Sequence, residues 1–348
     1  TAVIAISRLG MVLLVWLTML YYPSLLAACL SYASAMLLAA IAQYIAYRCQ
    51  QTQVRLNITQ WNRSSAIQLY HYCLSLSIWT LCMMLVNGID LTILSQFRFQ
   101  EVAYYSVAAN LVLFIAGLQH ALFSPLIARG AELSAQNEAS GIAVAQLLIK
   151  STRYAGLILW LTGLPLIIFA PQLFQIWMGG EYAHYASPIL IILVFANIVR
   201  MISAPYAFLL IATGEQQKTI LTPILEACSN LLFSILLGWQ FGAIGVAFGT
   251  LIGAFVAVSG HVIYNASRTF DKISITPRAL FLAWIKPSYY FFILSMLFIG
   301  LQAIGFSSIW IKIGFCLTGV ISMIMLLHKN ERDFILHKIG ILKPTTIV

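Results

Sequence analysis

The chain has 348 residues, of which 61% are hydrophobic and only 8% are charged, and its formal net charge is +9. A water-soluble domain of this size cannot bury so much apolar surface, so the composition excludes a soluble protein. The positive charge does not indicate nucleic-acid binding, because no basic stretch is interleaved with exposed aromatic residues. The sequence predicts an all-α, polytopic integral membrane protein whose cationic residues gather in cytoplasmic loops.

Apolar runs of about 20 residues follow one another along the chain, and each can cross the hydrocarbon core as a helix. We expect about ten spans. Eight of them are Ala2–Leu20, Ser24–Tyr47, Ser65–Asn87, Val102–Ala128, Tyr154–Trp177, Tyr185–Ala212, Pro287–Ile304 and Ile309–Leu327. The other two spans are predicted within Lys218–Tyr264, between the sixth span and the last two. They form a hairpin joined by a tight turn of small residues. Pro165 and Pro171 are expected to break the fifth span.

The distribution of positive charge sets the orientation of these spans. All but four of the 19 Lys and Arg residues fall in loops or in a tail that we place in the cytoplasm, with both ends of the chain inside. The four exceptions are Arg8, Arg98, Arg200 and Lys312. We expect Gly88–Glu101 to be an outer connection and Glu132–Lys150 to be an amphipathic segment on the inner membrane surface.

Two ionisable residues inside predicted spans are the first candidates for function. Glu226 either binds a coupling cation or proton, or orients a polar head group in a central cavity. Asn230, one helical turn later, is a candidate for substrate binding. The alternative for Glu226 is a structural carboxylate bonded to a neighbouring helix. Arg200 offers a planar fork that suits a pyrophosphate, and its alternative is an internal salt bridge with Glu226 as the candidate partner.

Other polar residues carry weaker predictions. Asp90 could line the outer mouth of a pathway, but an ion pair with Arg98 at the membrane interface is the simpler interpretation. His120 could relay protons or be a hydrogen-bonded packing residue. Arg8 could bind a ligand in the cavity or extend to the inner interface. Three further residues are expected to be structural, namely His71, His261 and Lys312.

The sequence lacks the patterns of an enzyme. It contains no nucleophile–base motif, phosphate-binding loop or metal-ligand spacing. The six cysteines form no C-x-x-C pair, and most lie in apolar runs, which predicts packing residues rather than a metal site or a disulfide framework. We therefore expect a protein that is not an enzyme and that has no cofactor and no bound metal.

The predicted hairpin carries polar and small residues in a specific order. They are Glu226, Asn230, Gly238, Gly242, Gly245, Ala247, Gly249 and Thr250. This pattern resembles the eleventh and twelfth helices of polysaccharide and oligosaccharide-lipid flippases, which belong to the multidrug/oligosaccharidyl-lipid/polysaccharide exporter superfamily. Segments similar to other parts of that family are Asp90–Ala108, Glu132–Lys150, Pro165–Ala186 and Leu190–Lys218. The resemblance covers most of Ser65–Tyr264.

The resemblance implies a two-bundle exporter fold from which this chain lacks the first four helices. The expected parts are residues 1–64, with two helices of the N-terminal bundle and a linker; 65–268, a six-helix C-terminal bundle; 269–328, a last hairpin; and 329–348, a cytoplasmic tail. The resemblance also implies a flippase of the bacterial plasma (inner) membrane. Such a protein moves lipid-linked (polyprenyl-pyrophosphate) oligosaccharides, such as O-antigen repeat units, to the outer leaflet by alternating access, driven by a cation or proton gradient. Arg200 and Arg8 would supply its cationic cavity.

Several alternatives stay open. A lipid II flippase or a multidrug exporter of the same fold would share most of these features. An integral-membrane sugar polymerase or glycosyltransferase would tend to carry a long outer loop or an acidic catalytic motif, whereas the outer connections predicted here are short. A membrane scaffold that keeps the fold without transporting is separated from these only by a transport assay.

Overall fold

The computed structural model describes residues 2–22, 24–50, 62–136, 140–305 and 308–326, with the backbone alone for residues 2–9. Every regular element in these ranges is helical. The predicted tail, residues 329–348, and most of the predicted linker after the second span lie outside the described residues. The chain divides into two compact units, residues 1–67 and 68–348.

The first unit is a helical hairpin. Helix α1 (Ala2–Tyr21) packs against α2 (Leu25–Gln50). Ser24 begins the second helix, because its Oγ accepts a hydrogen bond of 3.2 Å from the backbone N–H of Ala27 and so satisfies a donor of the first turn. Two apolar helices at the start of the chain agree with the sequence prediction.

The second unit contains most of α3 and all later helices. They are α3 (Arg63–Phe97), α4 (Val102–Phe123), α5 (Pro125–Ser134), α6 (Ser140–Trp177), α7 (Gly180–Ile202), α8 (Ala204–Ala212), α9 (Leu221–Gly260), α10 (Ala266–Arg268), α11 (Pro277–Ala303) and α12 (Ile309–Leu326). Helix α6 packs along α7 and α11, and α7 also packs against α4 and α9. The core between them is apolar and aromatic, with Trp160 of α6 stacked on Phe291 of α11 at 5.5 Å between ring centroids.

Helix α9 is a hairpin of two arms, residues 221–241 and 243–260. The chain reverses at Gly242, whose φ of 62° and ψ of −138° lie in a region that glycine alone adopts readily. The residues that face each other across the arms are Thr222 and Gly260, Asn230 and Gly253, Ser234 and Gly249, and Leu237 and Gly245. A Cβ on Gly245 or Gly249 would collide with backbone atoms of the first arm. The predicted hairpin and its close, glycine-dependent packing are therefore confirmed.

A carboxylate from outside the hairpin stabilises its turn. Glu101 Oε2 accepts a hydrogen bond of 2.6 Å from the backbone N–H of Ala243, the first residue of the second arm. A negative charge at this position complements the partial positive charge of a helix N-terminus. The contact ties the connection between α3 and α4 to the turn of α9.

The prediction of an outer connection over Gly88–Glu101 was wrong. Helix α3 continues to Phe97, and only Arg98 and a short 3-10 turn separate it from α4. Asp90 does not end the helix, because its carboxylate is buried and hydrogen-bonded inside the bundle. Arg98 lies 3.6 Å from Glu101 rather than pairing with Asp90.

The predicted surface segment Glu132–Lys150 is not a separate element. Its beginning belongs to α5 and its end to α6, which starts at Ser140. Val144 and Leu148, two apolar residues of this segment, are fully buried in the core of the second unit rather than lying on the membrane surface. Gly141 also accepts a hydrogen bond from the backbone N–H of Ser274, which holds the start of α6 against the loop before α11.

Pro165 and Pro171 do not break the fifth span, since α6 runs through both without interruption. A proline removes one hydrogen bond, and neighbouring helices packed on both sides hold the helix together. The breaks occur elsewhere, at Ser124 before Pro125 and at Ser203 between α7 and α8.

The ninth predicted span begins earlier than expected, because α11 starts at Pro277 and passes through Pro287. The Oγ1 of Thr276 caps its first turn by accepting from the N–H of Ala279 at 3.3 Å. A proline at the first helical position loses no hydrogen bond, because the backbone N–H of that position has no partner within the helix.

Seven helical segments of the described residues are long and apolar enough to cross a membrane. One of them contains the α9 hairpin, whose two arms could each form a span, and there are two shorter apolar helices, Gly10–Tyr21 and Ile309–Ile324. The described part of the chain thus supplies the spans that the sequence predicts, and the protein is an all-helical, multi-pass membrane protein. The division into four parts stays a prediction.

Candidate functional site

A cavity of about 450 Å³ lies within the second unit, between α3, α4, α7, α8 and both arms of α9. Its wall is mostly apolar, and a few ionisable side chains converge on it, which is typical of ligand-binding cavities. These side chains are Asp90, His120, Arg200, Glu226 and His261. Four of them are site residues predicted from the sequence.

Arg200 and Glu226 form an ion pair in the wall of this cavity. The Nε of Arg200 on α7 lies 2.6 Å from Oε1 of Glu226 on the first arm of α9, and the two side chains are 14% and 5% exposed. The structural alternative that the sequence left open for both residues is therefore realised. The pair uses only part of the arginine, because its buried Nη2 has no hydrogen-bond partner among the described residues.

Asp90 is the second buried carboxylate of the site, and its partners are uncharged. Its Oδ2 accepts hydrogen bonds from the hydroxyl of Tyr105 at 2.6 Å and from Thr250 Oγ1 at 2.7 Å. Its Oδ1 lies 3.4 Å from Ser234 Oγ. These contacts join α3, α4 and both arms of α9, and they correct the predicted pairing of Asp90 with Arg98.

Acceptor oxygens outnumber hydroxyl protons around Asp90. Ser234 has one proton, but its Oγ lies 3.1 Å from Asn230 Oδ1 and 3.4 Å from both Asp90 Oδ1 and the carbonyl oxygen of Val246. Thr250 has one proton for Asp90 and for the same carbonyl. With the proton that Tyr105 donates to Oδ2, three hydroxyl protons face four acceptor oxygens. The cluster is therefore rich in oxygen lone pairs and has no cation paired with it among the described residues.

The other predicted site residues are placed as follows. Asn230 is fully buried beside the cavity, and its Nδ2 donates to the carbonyl of Val86 at 3.4 Å. His120 faces the cavity and meets the ring of Phe208 edge-on at 5.4 Å. The side chain of Arg8 lies outside the described residues.

Sequence reasoning missed four members of the site: Tyr105, Ser234, Thr250 and His261. Ser234 had a usable signal, because Glu226, Asn230 and Ser234 recur every four residues and so share one face of a helix. Thr250 comes close to the first arm only because the two arms pair in antiparallel fashion. Nothing in the sequence around Tyr105 indicates that it belongs to a site. Among the described residues, no group of His, Cys, Asp and Glu side chains is arranged to hold a metal ion.

Comparison with solved structures finds a related architecture. The chain is similar to "Lipid II flippase MurJ, inward closed conformation", with a TM-score of 0.58 and 15% sequence identity over 96% of this chain and 67% of that one. The chain shares its fold with a lipid II flippase. No protein-family model matches the sequence, and no curated protein is similar to it by sequence.

The structural likeness confirms the predicted fold, which this chain shares with a flippase. At this level of identity the likeness shows the fold alone. The narrower resemblance to repeat-unit flippases and the roles of the site residues remain predictions.

Proposed function

We propose that the protein is a flippase that moves lipid-linked oligosaccharide or polysaccharide repeat units across the bacterial plasma (inner) membrane. The observation that carries this proposal is Arg200, a largely buried cation in the wall of a 450 Å³ cavity, with Nη2 left without a partner. A buried guanidinium nitrogen needs an acceptor. The polyprenyl-pyrophosphate that links such sugars to lipid supplies one, because phosphate oxygens match the guanidinium fork.

In this proposal the substrate enters from the inner leaflet and leaves to the outer leaflet as the cavity faces each side in turn. The orientation, with both ends of the chain in the cytoplasm, follows from the distribution of Lys and Arg. The sugar and the prenyl chain would lie against the apolar wall and the surrounding membrane lipid, while Arg200 holds the charged link between them.

A cation or proton gradient would drive transport, and the geometry favours Asp90 over Glu226 and His120 as its binding site. The charge of Glu226 is already compensated by Arg200 at 2.6 Å. The groups that contact Asp90 directly are all neutral, and Arg200 acts on its charge only at longer range, so a bound proton or cation would compensate that charge more directly. The surrounding oxygens of Ser234, Asn230 and the Val246 carbonyl are ligands that small hard cations prefer.

The second candidate function is a lipid II flippase, favoured by the similarity to the solved structure of one. Both substrates present a polyprenyl-pyrophosphate to the cavity, so Arg200 has the same role in each. Competition for the purified protein between a lipid-linked repeat unit and lipid II distinguishes them, because the sugars differ while the lipid link is the same.

The proposal is tested by binding of a polyprenyl pyrophosphate and a polyprenyl monophosphate to the protein in nanodiscs, read by native mass spectrometry. We expect the pyrophosphate to bind more tightly. Arg200→Gln should weaken its binding by about 10-fold or more, since hydrogen bonds to charged groups contribute about 1.5–3 kcal/mol. Arg129→Gln is the control, because Arg129 is exposed and pairs with Glu132. Equal binding to the parent and to Arg200→Gln would contradict the proposal.

A further inference from the structure

His261 stands at the junction between the cavity and the end of the second arm of α9. Its side chain is 4% exposed, and it lines the cavity. It begins a five-residue π-helical turn, His261–Asn265, between α9 and α10. Such turns are rare and frequently mark functional positions, because the wider turn is less stable than a continuous α-helix. A histidine predicted to be structural therefore lies where a functional one could act.

Three aromatic rings from three other helices surround the imidazole. Trp79 of α3 is stacked on it, with centroids 6.4 Å apart and an interplanar angle of 28°. Tyr206 of α8 and Trp284 of α11 meet it edge-on, at 5.4 and 6.3 Å. Aromatic faces attract cations, tryptophan most strongly, and Trp79 is the ring that lies face-on to the imidazole. A charged imidazolium would therefore have one aromatic face beside it although it is buried.

Asn265 supplies a partner for both protonation states of the ring. Its Nδ2 lies 2.8 Å from Nδ1 of His261. An amide nitrogen only donates, so Nδ1 is the acceptor and the neutral ring carries its proton on Nε2. The Oδ1 of Asn265 is buried without a partner. A half-turn of the amide would bring Oδ1 to Nδ1, where it would accept a hydrogen bond from the protonated ring.

Further buried polar atoms without protein partners lie in the elements next to His261. They are Thr222 Oγ1, Trp284 Nε1 and both amide atoms of Gln216. Thr222 faces Gly260, and the turn Glu215–Thr219 packs against the π-helical turn. Buried polar groups are nearly always paired, and where the protein offers no partner, water does. In the proposed topology this turn lies at the cytoplasmic face, where Lys218 is half-exposed.

We propose that His261 is a proton-binding site, supplied with protons from the cytoplasmic face through water held by these polar atoms. Hydronium gives one proton to Nδ1 while Nε2 keeps its own, which turns the neutral ring into an imidazolium and leaves water. Release returns that proton from Nδ1 to water. The inference that this proton affects transport rests on the proposed function, whereas the binding of the proton does not.

The charges around the ring define its setting. Trp79, Tyr206, Trp284 and Asn265 carry none. The acidic, basic and histidine side chains on the elements packed against it are Arg63, His71 and Asp90 on α3, Arg200 and Glu226 across the cavity, Glu215 and Lys218 in the inner turn, Arg268 on α10, and Arg278 and Lys286 on α11. Because no carboxylate contacts the imidazole, a dry wall disfavours its charge and a hydrated wall favours it. Protonation is therefore coupled to the entry of water from the inner side.

The direct test measures hydrogen–deuterium exchange at the imidazole C2 position by mass spectrometry, on the whole chain in nanodiscs across a pH series. We expect the exchange at His261 to depend on pH, because uptake of a proton changes the reactivity of the ring. Asn265→Leu, which keeps the shape but removes Oδ1, should shift that titration to lower pH by disfavouring the charged ring. His71, which does not line the cavity, is the internal control, and its exchange should be the same in both proteins. An exchange rate at His261 that is independent of pH, or unaffected by Asn265→Leu, overturns the proposal whether or not the protein transports.

The consequence for transport is measured separately. In proteoliposomes, His261→Gln should flatten the dependence of transport on the pH at the cytoplasmic face. His71→Gln should behave like the parent. If His261→Gln keeps the parent's pH dependence, the link between this proton and transport is wrong, and if the parent itself does not transport, the proposed function fails while the exchange result stands.

Discussion

Arg200 and Glu226 join α7 to the first arm of α9 through a contact of 2.6 Å between Nε and Oε1. The pair lies in the wall of the cavity, and Nη2 of the arginine remains without a partner. The same side chain therefore holds two helices together and offers an unused donor to a ligand. The stabilising and the binding role can be separated, because they depend on different nitrogens of one guanidinium.

The stabilising role predicts a compensating double substitution. Arg200→Met or Glu226→Leu alone leaves a buried charge without its partner and should cost about 3–5 kcal/mol. The double variant removes both charges and should recover most of the loss. Thermal unfolding of the purified proteins, followed by size-exclusion chromatography, measures this. Additive losses in the double variant would show that the two side chains act independently.

The binding role predicts that charge alone is not enough. Arg200→Lys keeps a cation beside Glu226 but loses the planar fork, which directs separate nitrogens toward the carboxylate and toward a phosphate. We expect a folded yield near that of the parent and a clear fall in transport. Full transport by Arg200→Lys would show that the fork is not used for the substrate.

The cluster around Asp90 predicts an effect of the coupling ion on stability. A ligand that binds the folded state raises its stability in proportion to the logarithm of its concentration. Unfolding temperatures measured in Na⁺ and in choline chloride, each over a pH series, distinguish a sodium site from a proton site. Asp90→Asn should remove whichever dependence the parent shows. If the parent responds to neither, or if Asp90→Asn responds like the parent, Asp90 is not the coupling site.

The close packing of the α9 arms predicts a large effect of one methyl group. A Cβ at Gly249 would collide with the backbone and side chain of Ser234, so Gly249→Ala should destabilise the protein by about 1–3 kcal/mol or more. Gly300→Ala is the matched control, because no atom lies within 4 Å of a Cβ there and alanine is the better helix former. Equal unfolding temperatures for the two variants would contradict the described packing.

The contact between Glu101 and Ala243 predicts a loss of capping. Glu101→Ala removes the acceptor at 2.6 Å from the Ala243 N–H and should cost about 0.5–2 kcal/mol, as for other N-caps. Glu132→Ala removes an exposed carboxylate on α5 and should cost less than about 0.5 kcal/mol. Unfolding temperatures of the two variants measure the difference. An equally large loss of stability in Glu132→Ala would contradict the capping role of Glu101.

The hairpin could be predicted because its signals are local. Gly245, Gly249 and Gly253 recur every four residues and so line one face of a helix, and a carboxylate in the preceding apolar run indicates an inward face. The Arg200–Glu226 pair was one of two alternatives that the sequence allowed. These features needed no knowledge of distant parts of the chain.

The errors arose where distant partners decide the structure. Asp90 resembled a loop residue, but its hydroxyl partners come from positions 15, 144 and 160 residues later. Pro165 and Pro171 indicated breaks that packing on both sides of α6 prevents. The surroundings of His261 were also out of reach, because its neighbouring rings come from three other helices and no pattern within one sequence shows that they meet.

The most direct test of the account is a flipping assay with the purified protein in proteoliposomes. A lipid-linked oligosaccharide with a fluorescent sugar is placed in both leaflets, and a membrane-impermeant reagent quenches the outer one. We expect the parent and Arg129→Gln to expose the inner pool to quenching, and Arg200→Gln to leave it protected while remaining folded. Flipping by Arg200→Gln at the parent's rate would contradict the role given to Arg200. If the parent leaves the inner pool as fully protected from quenching as protein-free liposomes do, the proposed function itself is contradicted.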